Sequence, residues 1–222
     1  MRHREGKGLF IVIEGVDGAG KTTLRNWVAD WFDLHGVSVI RTREPGGTPE
    51  AELLRQRILM DRGADDEQLS PMTKTLMHMA CRSMHLDTII KPALQANKVI
   101  ISDRFCDSTF TYQSQEGVRL STLQALHEVA FNDFYPDLTI YLDGSQEVFS
   151  KRLDVRGGDS NYYDRAGGEF HDNNRKVYKQ LVATSPWRYA VIDAEQPEQQ
   201  VHAQVIPHLM RLFNDYIKRP KP

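Results

Sequence analysis

The sequence predicts an α/β protein, a parallel sheet covered by helices. Three observations predict it. Short apolar runs rich in β-branched residues recur along the chain, longer helix-forming stretches separate them, and the first run leads through a glycine-rich turn into a helix. The runs are "LFIVIE" from Leu9, "VSVIRT" from Val37, "KVIISD" from Lys98, "DLTIYLD" from Asp137 and "YAVID" from Tyr189. They read as continuous rather than alternating, the pattern of strands buried on both faces. One helix opens at Ser70 and Pro71, a capping residue followed by proline, and is expected to run to about Ile90. Further helices are expected over residues 120–134, 172–183 and 197–218. Residues 154–174, "DVRGGDSNYYDRAGGEFHDNN", break the alternation: they are glycine-rich and polar, with little periodicity. Alone this stretch reads as a surface loop. In a phosphate-handling enzyme, a long polar loop carrying Arg156 and Arg165 reads as a lid.

The chain of 222 residues is read as one domain, 1–222, long enough to bury a core. A net charge of −2 excludes a global basic excess that would steer the molecule onto nucleic acid or an acidic membrane. Neither partner is expected, so any anion must be held by a local cluster. Cys81 and Cys106 are far apart in the sequence and form no metal-type spacing, so they read as free thiols in a reducing compartment. The apolar run near the N-terminus is too short for a signal or membrane segment. A cytoplasmic location is expected.

The motif Gly15-x4-Gly20-Lys21-Thr22 is a complete P-loop, placed after a strand and before a helix as its mechanism requires. Gly15, Gly18, Ala19 and Gly20 let backbone N–H groups converge on phosphate oxygens, with Lys21, Thr22 and Thr23 opening the helix. Lys21 reaches the β- and γ-phosphates, the Thr22 hydroxyl coordinates Mg²⁺, and the helix adds its N-terminal partial charge. A GTP switch needs an Asn-Lys-x-Asp motif. The only Asn-Lys is Asn97-Lys98, followed by Val99-Ile100, which argues against that class. Asp103 ends a predicted strand, where an acid supports Mg²⁺ through water or simply begins a turn. Arg104 follows at the crevice where α/β proteins bind ligands, suited to clamping a second phosphate. The odd member is Asp17, a carboxylate inside a loop built for anions. It reads either as a ligand-binding group or as a turn-forming residue.

The motifs together resemble thymidylate kinase. "IEGVDGAGKTT", "TREPGGT" from Thr42, "DRF" from Asp103 with "STFTYQ" from Ser108, and "PDLTIYLD" from Pro136 follow the family's order at workable spacing, and "IDAEQP" from Ile192 fits its adenine-side loop. The resemblance implies a P-loop nucleoside monophosphate kinase fold with a five-stranded parallel sheet flanked by helices, a lid, and a homodimer. It implies Mg²⁺-dependent transfer of the ATP γ-phosphate to dTMP, giving dTDP. Residue by residue, it places Asp17 on the acceptor sugar's 3′-hydroxyl and Arg104 on the acceptor phosphate. Glu44 and Pro45 of "TREPGGT", Arg82, Ser108, Tyr112 and Gln113 fall around the acceptor nucleotide, with Tyr112 crowding the ribose 2′ position. Because Gly18-Ala19 follow Asp17, the P-loop carries no arginine. The catalytic cation is then expected from the lid, as Arg156 or Arg165. His78, one helical turn before Arg82, stands where the family carries phenylalanine. Imidazole stacks less strongly than phenyl and adds hydrogen-bonding atoms. Two rival readings remain: a kinase for another or 5-modified deoxypyrimidine monophosphate, kept open by His78, and a P-loop switch protein with no acceptor, for which Arg104, Arg82 and Asp17 would have no purpose.

Overall fold

The computed structural model describes residues 8–59, 68–156 and 168–218. Its centre is a five-stranded sheet in the order β2-β3-β1-β4-β5, every pair parallel. The strands are β1 (Leu9–Glu14), β2 (Val39–Arg43), β3 (Val99–Asp103), β4 (Leu138–Asp143) and β5 (Tyr189–Asp193). All five expected runs are strands. Only the flanks move, by one or two residues.

The run "LFIVIE" is apolar throughout because both faces of β1 are covered. Successive side chains point to opposite faces. Leu9, Ile11 and Ile13 join a core with Leu24, Val28 and Phe32 of α1 (Lys21–Leu34) and with Val205 and Leu209 of α9 (Glu198–Ile217). Phe10 and Val12 join a second core on the other face, with Phe110 of α5 (Cys106–Gln115), Leu123 of α6 (Leu120–Phe131) and Tyr178 of α8 (Gly168–Thr184). The expectation of burial on both faces holds for β1, β3 and β4. It fails for β2 and β5, which are partly exposed. These are the two edges of the sheet, where one side of the strand lacks a neighbouring strand.

Ser70 caps α3 (Pro71–His85) as expected, its Oγ accepting from the Thr73 N–H at 3.1 Å. The helix does not run unbroken to Ile90. Residues Leu86–Ile90 widen into a π-helical turn before α4 (Lys91–Gln95). Pro92 has no N–H to donate, so a continuous α-helix could not carry its ladder through this point. The helix expected over 120–134 stops at Phe131, because Asn132 takes the left-handed conformation (φ 50°) that closes a helix. The helix α2 (Pro49–Leu59) packs on α3 through Ala51, Ile58 and Cys81, and both cysteines are buried and free.

The polar stretch at 154–174 is less loop-like than its composition suggests. Helix α7 (Gln146–Arg156) extends into its start, and α8 begins at Gly168, four residues before the expected 172. Residues 157–167, with Arg165, and the side chain of Arg156 lie outside the described residues. Among the described residues, no helix is long and apolar enough to cross a membrane.

Candidate active site

The parallel register brings the carboxyl ends of the strands to one edge. Ile13 pairs with Asp103, and Arg43 pairs with Asp103 on the other side. Backbone bonds continue past the strand ends, from Arg104 N–H to Ile13 O (2.9 Å) and from Glu44 N–H to Asp103 O (3.0 Å). One register therefore sets the P-loop, the Asp103-Arg104 turn and the "TREPGGT" segment side by side. They open onto a cavity of about 500 Å³, lined from the P-loop through Arg104 to His78 and Arg82.

The P-loop has the required shape. Gly18 lies at φ 82°, and a Cβ there would come within 2.5 Å of the Phe149 carbonyl of α7. Gly20 lies at φ 92° and is the N-cap of α1 without any side-chain cap, so the first N–H groups of the helix stay available to an anion. Lys21 Nζ donates to Val16 O at 2.8 Å and to Asp17 Oδ1 at 3.2 Å. Thr22 Oγ1 donates to Asp103 Oδ2 at 2.7 Å. This hydroxyl and carboxylate are a hard oxygen pair of the kind Mg²⁺ takes together with phosphate and water.

Asp17 is not an isolated acid in an anion site. Arg104 Nη2 donates to its Oδ1 at 2.6 Å. Burial alone would raise the Asp17 carboxyl, but Arg104 and then Lys21 overcome it and hold it well below the usual range. Arg104 also donates to Gly15 O (3.1 Å), Ser108 Oγ (2.9 Å) and the Tyr112 hydroxyl (3.2 Å), and its guanidinium lies 5.0 Å from the centre of the Tyr112 ring. Its backbone sits at φ 73°, a strained conformation for a residue with a side chain.

The support beneath Arg104 is Glu14, which sequence reasoning passed over inside an apolar run. Glu14 is fully buried and accepts from the N–H groups of Phe105 (2.9 Å) and Ser108 (3.2 Å), from Ser108 Oγ (2.6 Å) and from the Tyr178 hydroxyl (2.9 Å). Burial, with Asp107 adding to it, pushes its carboxyl up to about 7.

The far wall comes from α3. Arg82 Nε donates to Glu44 Oε2 at 2.8 Å, Nη2 to Thr109 Oγ1 at 2.9 Å, and Nη1 to Met79 Sδ at 3.8 Å. His85 Nδ1 meets the other Glu44 oxygen at 2.9 Å. Pro45 follows a cis peptide bond, and its carbonyl accepts from Arg55. Tyr112, Gln113, Ser108 and His78 complete this end of the cavity. Burial first, and then the charge of Arg82, push the His78 imidazole down to about 3.

The structure thus gathers every expected P-loop and acceptor-side residue it describes into one cavity or its immediate support. It adds residues the sequence did not single out. Arg55 of α2 lines the cavity, as do Arg25 and Arg152. Arg152 is held by the carbonyls of Ala194 and Glu195, in the "IDAEQP" loop. Arg55 and Arg152 lie in helix interiors outside every motif, and Arg25 follows the P-loop without belonging to its pattern, so nothing local marked them.

The family model described as "Thymidylate kinase" matches residues 13–205. The chain belongs to the thymidylate kinase family. A thymidylate kinase of Chromohalobacter salexigens is 39% identical over 206 residues, covering 91% of this chain and 95% of that protein. One of Pseudomonas savastanoi pv. phaseolicola is 38% identical over 209 residues, covering 92% and 98%. The solved structure of a thymidylate kinase from Ehrlichia chaffeensis superposes with a TM-score of 0.70 at 32% identity, covering 91% of this chain and 98% of that one. The five-stranded sheet and its helices are therefore the P-loop nucleoside monophosphate kinase fold of this family.

Proposed function

We propose that this thymidylate kinase family member transfers the γ-phosphoryl group of ATP to dTMP, giving dTDP, with Mg²⁺. The observation that carries the reading is that Lys21 and Arg104 both bond the Asp17 carboxylate at the P-loop. A P-loop alone serves a donor. Arg104 and Asp17 face it from the other side and suit a second ligand, the acceptor's phosphate and sugar hydroxyl. A switch protein without an acceptor has no use for them.

Phosphoryl transfer needs little covalent help from the protein, so positioning and charge neutralisation do the work. Lys21, freed from Val16 O and Asp17, reaches the β- and γ-phosphates, while the uncapped N-terminus of α1 holds the oxygens between them. Thr22 and Asp103 would hold Mg²⁺, which would supply charge neutralisation for the transferring phosphoryl group. Arg104 exchanges the Asp17 carboxylate for the acceptor phosphate. Asp17, ionised, then accepts a hydrogen bond from the 3′-hydroxyl. Glu44 orients Arg82, and Tyr112, Ser108 and Gln113 line the acceptor's sugar and base. Arg156 or Arg165 supplies the remaining cation from a lid at about residues 154–174, a role that rests on the resemblance. The same resemblance supports a single catalytic domain in a cytoplasmic homodimer. Leu53, Met72 and Leu76, left exposed on α2 and α3, are apolar side chains that a second copy would cover.

The test is incubation of the protein with ATP, Mg²⁺ and each of several nucleoside monophosphates, with products separated by chromatography. The expected result is dTDP as the main product. ATP hydrolysis that is indifferent to the acceptor would overturn the reading. Light scattering checks the dimer.

A further inference from the structure

Among the described residues, His78 brings to the cavity a ring nitrogen that the folded chain leaves unpaired. It lies one turn before Arg82 on α3 and lines the cavity. Arg82 has a partner for each of its nitrogens. His78 Nε2 is buried with no hydrogen-bond partner. Buried polar atoms in folded proteins are almost always paired, so an unpaired one in a ligand cavity marks a place where the ligand supplies the partner. The ring is also kept uncharged, by burial and by the surrounding charges of Arg82, Arg55, Arg104 and Lys74. An uncharged imidazole carries one N–H and one bare nitrogen, a donor and an acceptor on a single ring. It exerts no net Coulombic pull on phosphate, which the cations around Lys21 and Arg104 already attract. Its chemistry suits a neutral heterocycle.

We propose that His78 determines acceptor specificity, its unpaired ring nitrogen hydrogen-bonding a polar substituent of the acceptor's pyrimidine ring, so that the site accepts deoxypyrimidine monophosphates with a polar ring substituent alongside dTMP. The proposal rests on the acceptor-kinase reading above and names the substrate class of the same site. Leu59, Pro45 and Phe105 also line the cavity and offer apolar surface to a pyrimidine ring. In such surroundings a polar substituent left without a partner would be disfavoured, so His78 decides whether it is tolerated.

The experiment measures kcat/KM with ATP and Mg²⁺ for dTMP, dUMP and 5-hydroxymethyl-dUMP, in the unmodified protein and in His78→Phe, His78→Leu and His78→Gln. The unmodified protein is expected to use 5-hydroxymethyl-dUMP within about tenfold of dTMP. One neutral hydrogen bond corresponds to roughly a fivefold to tenfold change, so His78→Phe and His78→Leu should each lower the ratio of 5-hydroxymethyl-dUMP to dTMP by about that much. His78→Gln, which keeps a donor and an acceptor, should hold the ratio to within about twofold of the unmodified protein. A purely structural histidine would change folding or overall turnover and leave the ratios alone. The proposal is overturned if the apolar variants phosphorylate dTMP with unchanged ratios. It is also overturned if the unmodified protein prefers dTMP over 5-hydroxymethyl-dUMP by more than about a hundredfold, a result that needs no variant to fold. Failure of the unmodified protein to phosphorylate any pyrimidine monophosphate is a different outcome. It would sink the kinase reading itself.

Discussion

Two clusters of charge flank the same cavity and are built differently. At the P-loop corner, Lys21, Asp17 and Arg104 are tied to one another, yet their side chains keep 8%, 21% and 15% of their surface open. At the α3 wall, Arg82, Glu44 and His85 are tied just as closely with 1%, 3% and 0% open. The first cluster can trade its internal bonds for bonds to a ligand, because ligand atoms can reach it. The second cannot open without leaving a charge buried and unpaired, so its bonds hold shape. A salt bridge seen in a site is thus either a resting contact or a brace, and exposure separates the two.

Removing the brace should have the largest effect. Glu44→Ala leaves the Arg82 guanidinium buried without its carboxylate, a change worth about 3–5 kcal/mol. For a chain of this size that is roughly a 10 °C fall in Tm by calorimetry. A fall under about 2 °C would show that the wall is no brace.

At the other corner the sign of the expectation changes: activity is lost while the fold survives. Lys21→Ala should lower kcat by about 100- to 1000-fold, the usual effect of removing a group that faces transition-state charge, with Tm nearly unchanged. Near-normal turnover would remove the P-loop assignment.

Arg104→Ala should raise the dTMP dissociation constant by roughly tenfold to a hundredfold, given charged hydrogen bonds of about 1.5–3 kcal/mol. ATP binding should change less. Calorimetric titration of both nucleotides checks it, and a loss confined to ATP would place Arg104 on the donor instead. Arg156→Ala or Arg165→Ala should lower kcat by about tenfold or more with dTMP affinity unchanged, as expected of a cation that acts on charge developing in the transition state. If the double variant keeps full turnover, the corner needs no cation from that segment.

The smallest effect concerns Glu14, beneath the Arg104 corner. Its carboxyl is raised from 4.5 to about 7 by burial. In the folded protein it therefore binds a proton that the unfolded chain has already released between pH 4.5 and 7. Its contribution to stability is present below that window and is lost as pH rises through it. Melting the unmodified protein and Glu14→Gln across this range should show the unmodified protein losing Tm relative to the variant as pH rises. Parallel curves would mean that Glu14 ionises normally.

Much of the molecule was legible in its residues alone. The five strands, the capped start of α3 and the P-loop follow from local rules: apolar runs, a serine before a proline, glycines at required spacings. The family followed from motifs in order. Tertiary structure decided the rest. Strand register placed Asp103 beside Thr22 and Arg104 against Asp17, pairings between residues about eighty positions apart. No window of sequence contains both partners of such a pair. The sheet edges, and so the exposure of β2 and β5, depend on strand order, which local apolar patterning does not encode. Asp17 was visible as an anomaly and became a paired carboxylate only when Arg104 was brought to it. Arg55, Arg152 and Glu14 were ordinary residues of a helix or an apolar strand until packing turned them toward the cavity or beneath it. The physical reason is the same throughout. Backbone preferences and caps act over a few residues, whereas charge compensation and burial depend on which distant segments the folded sheet makes neighbours.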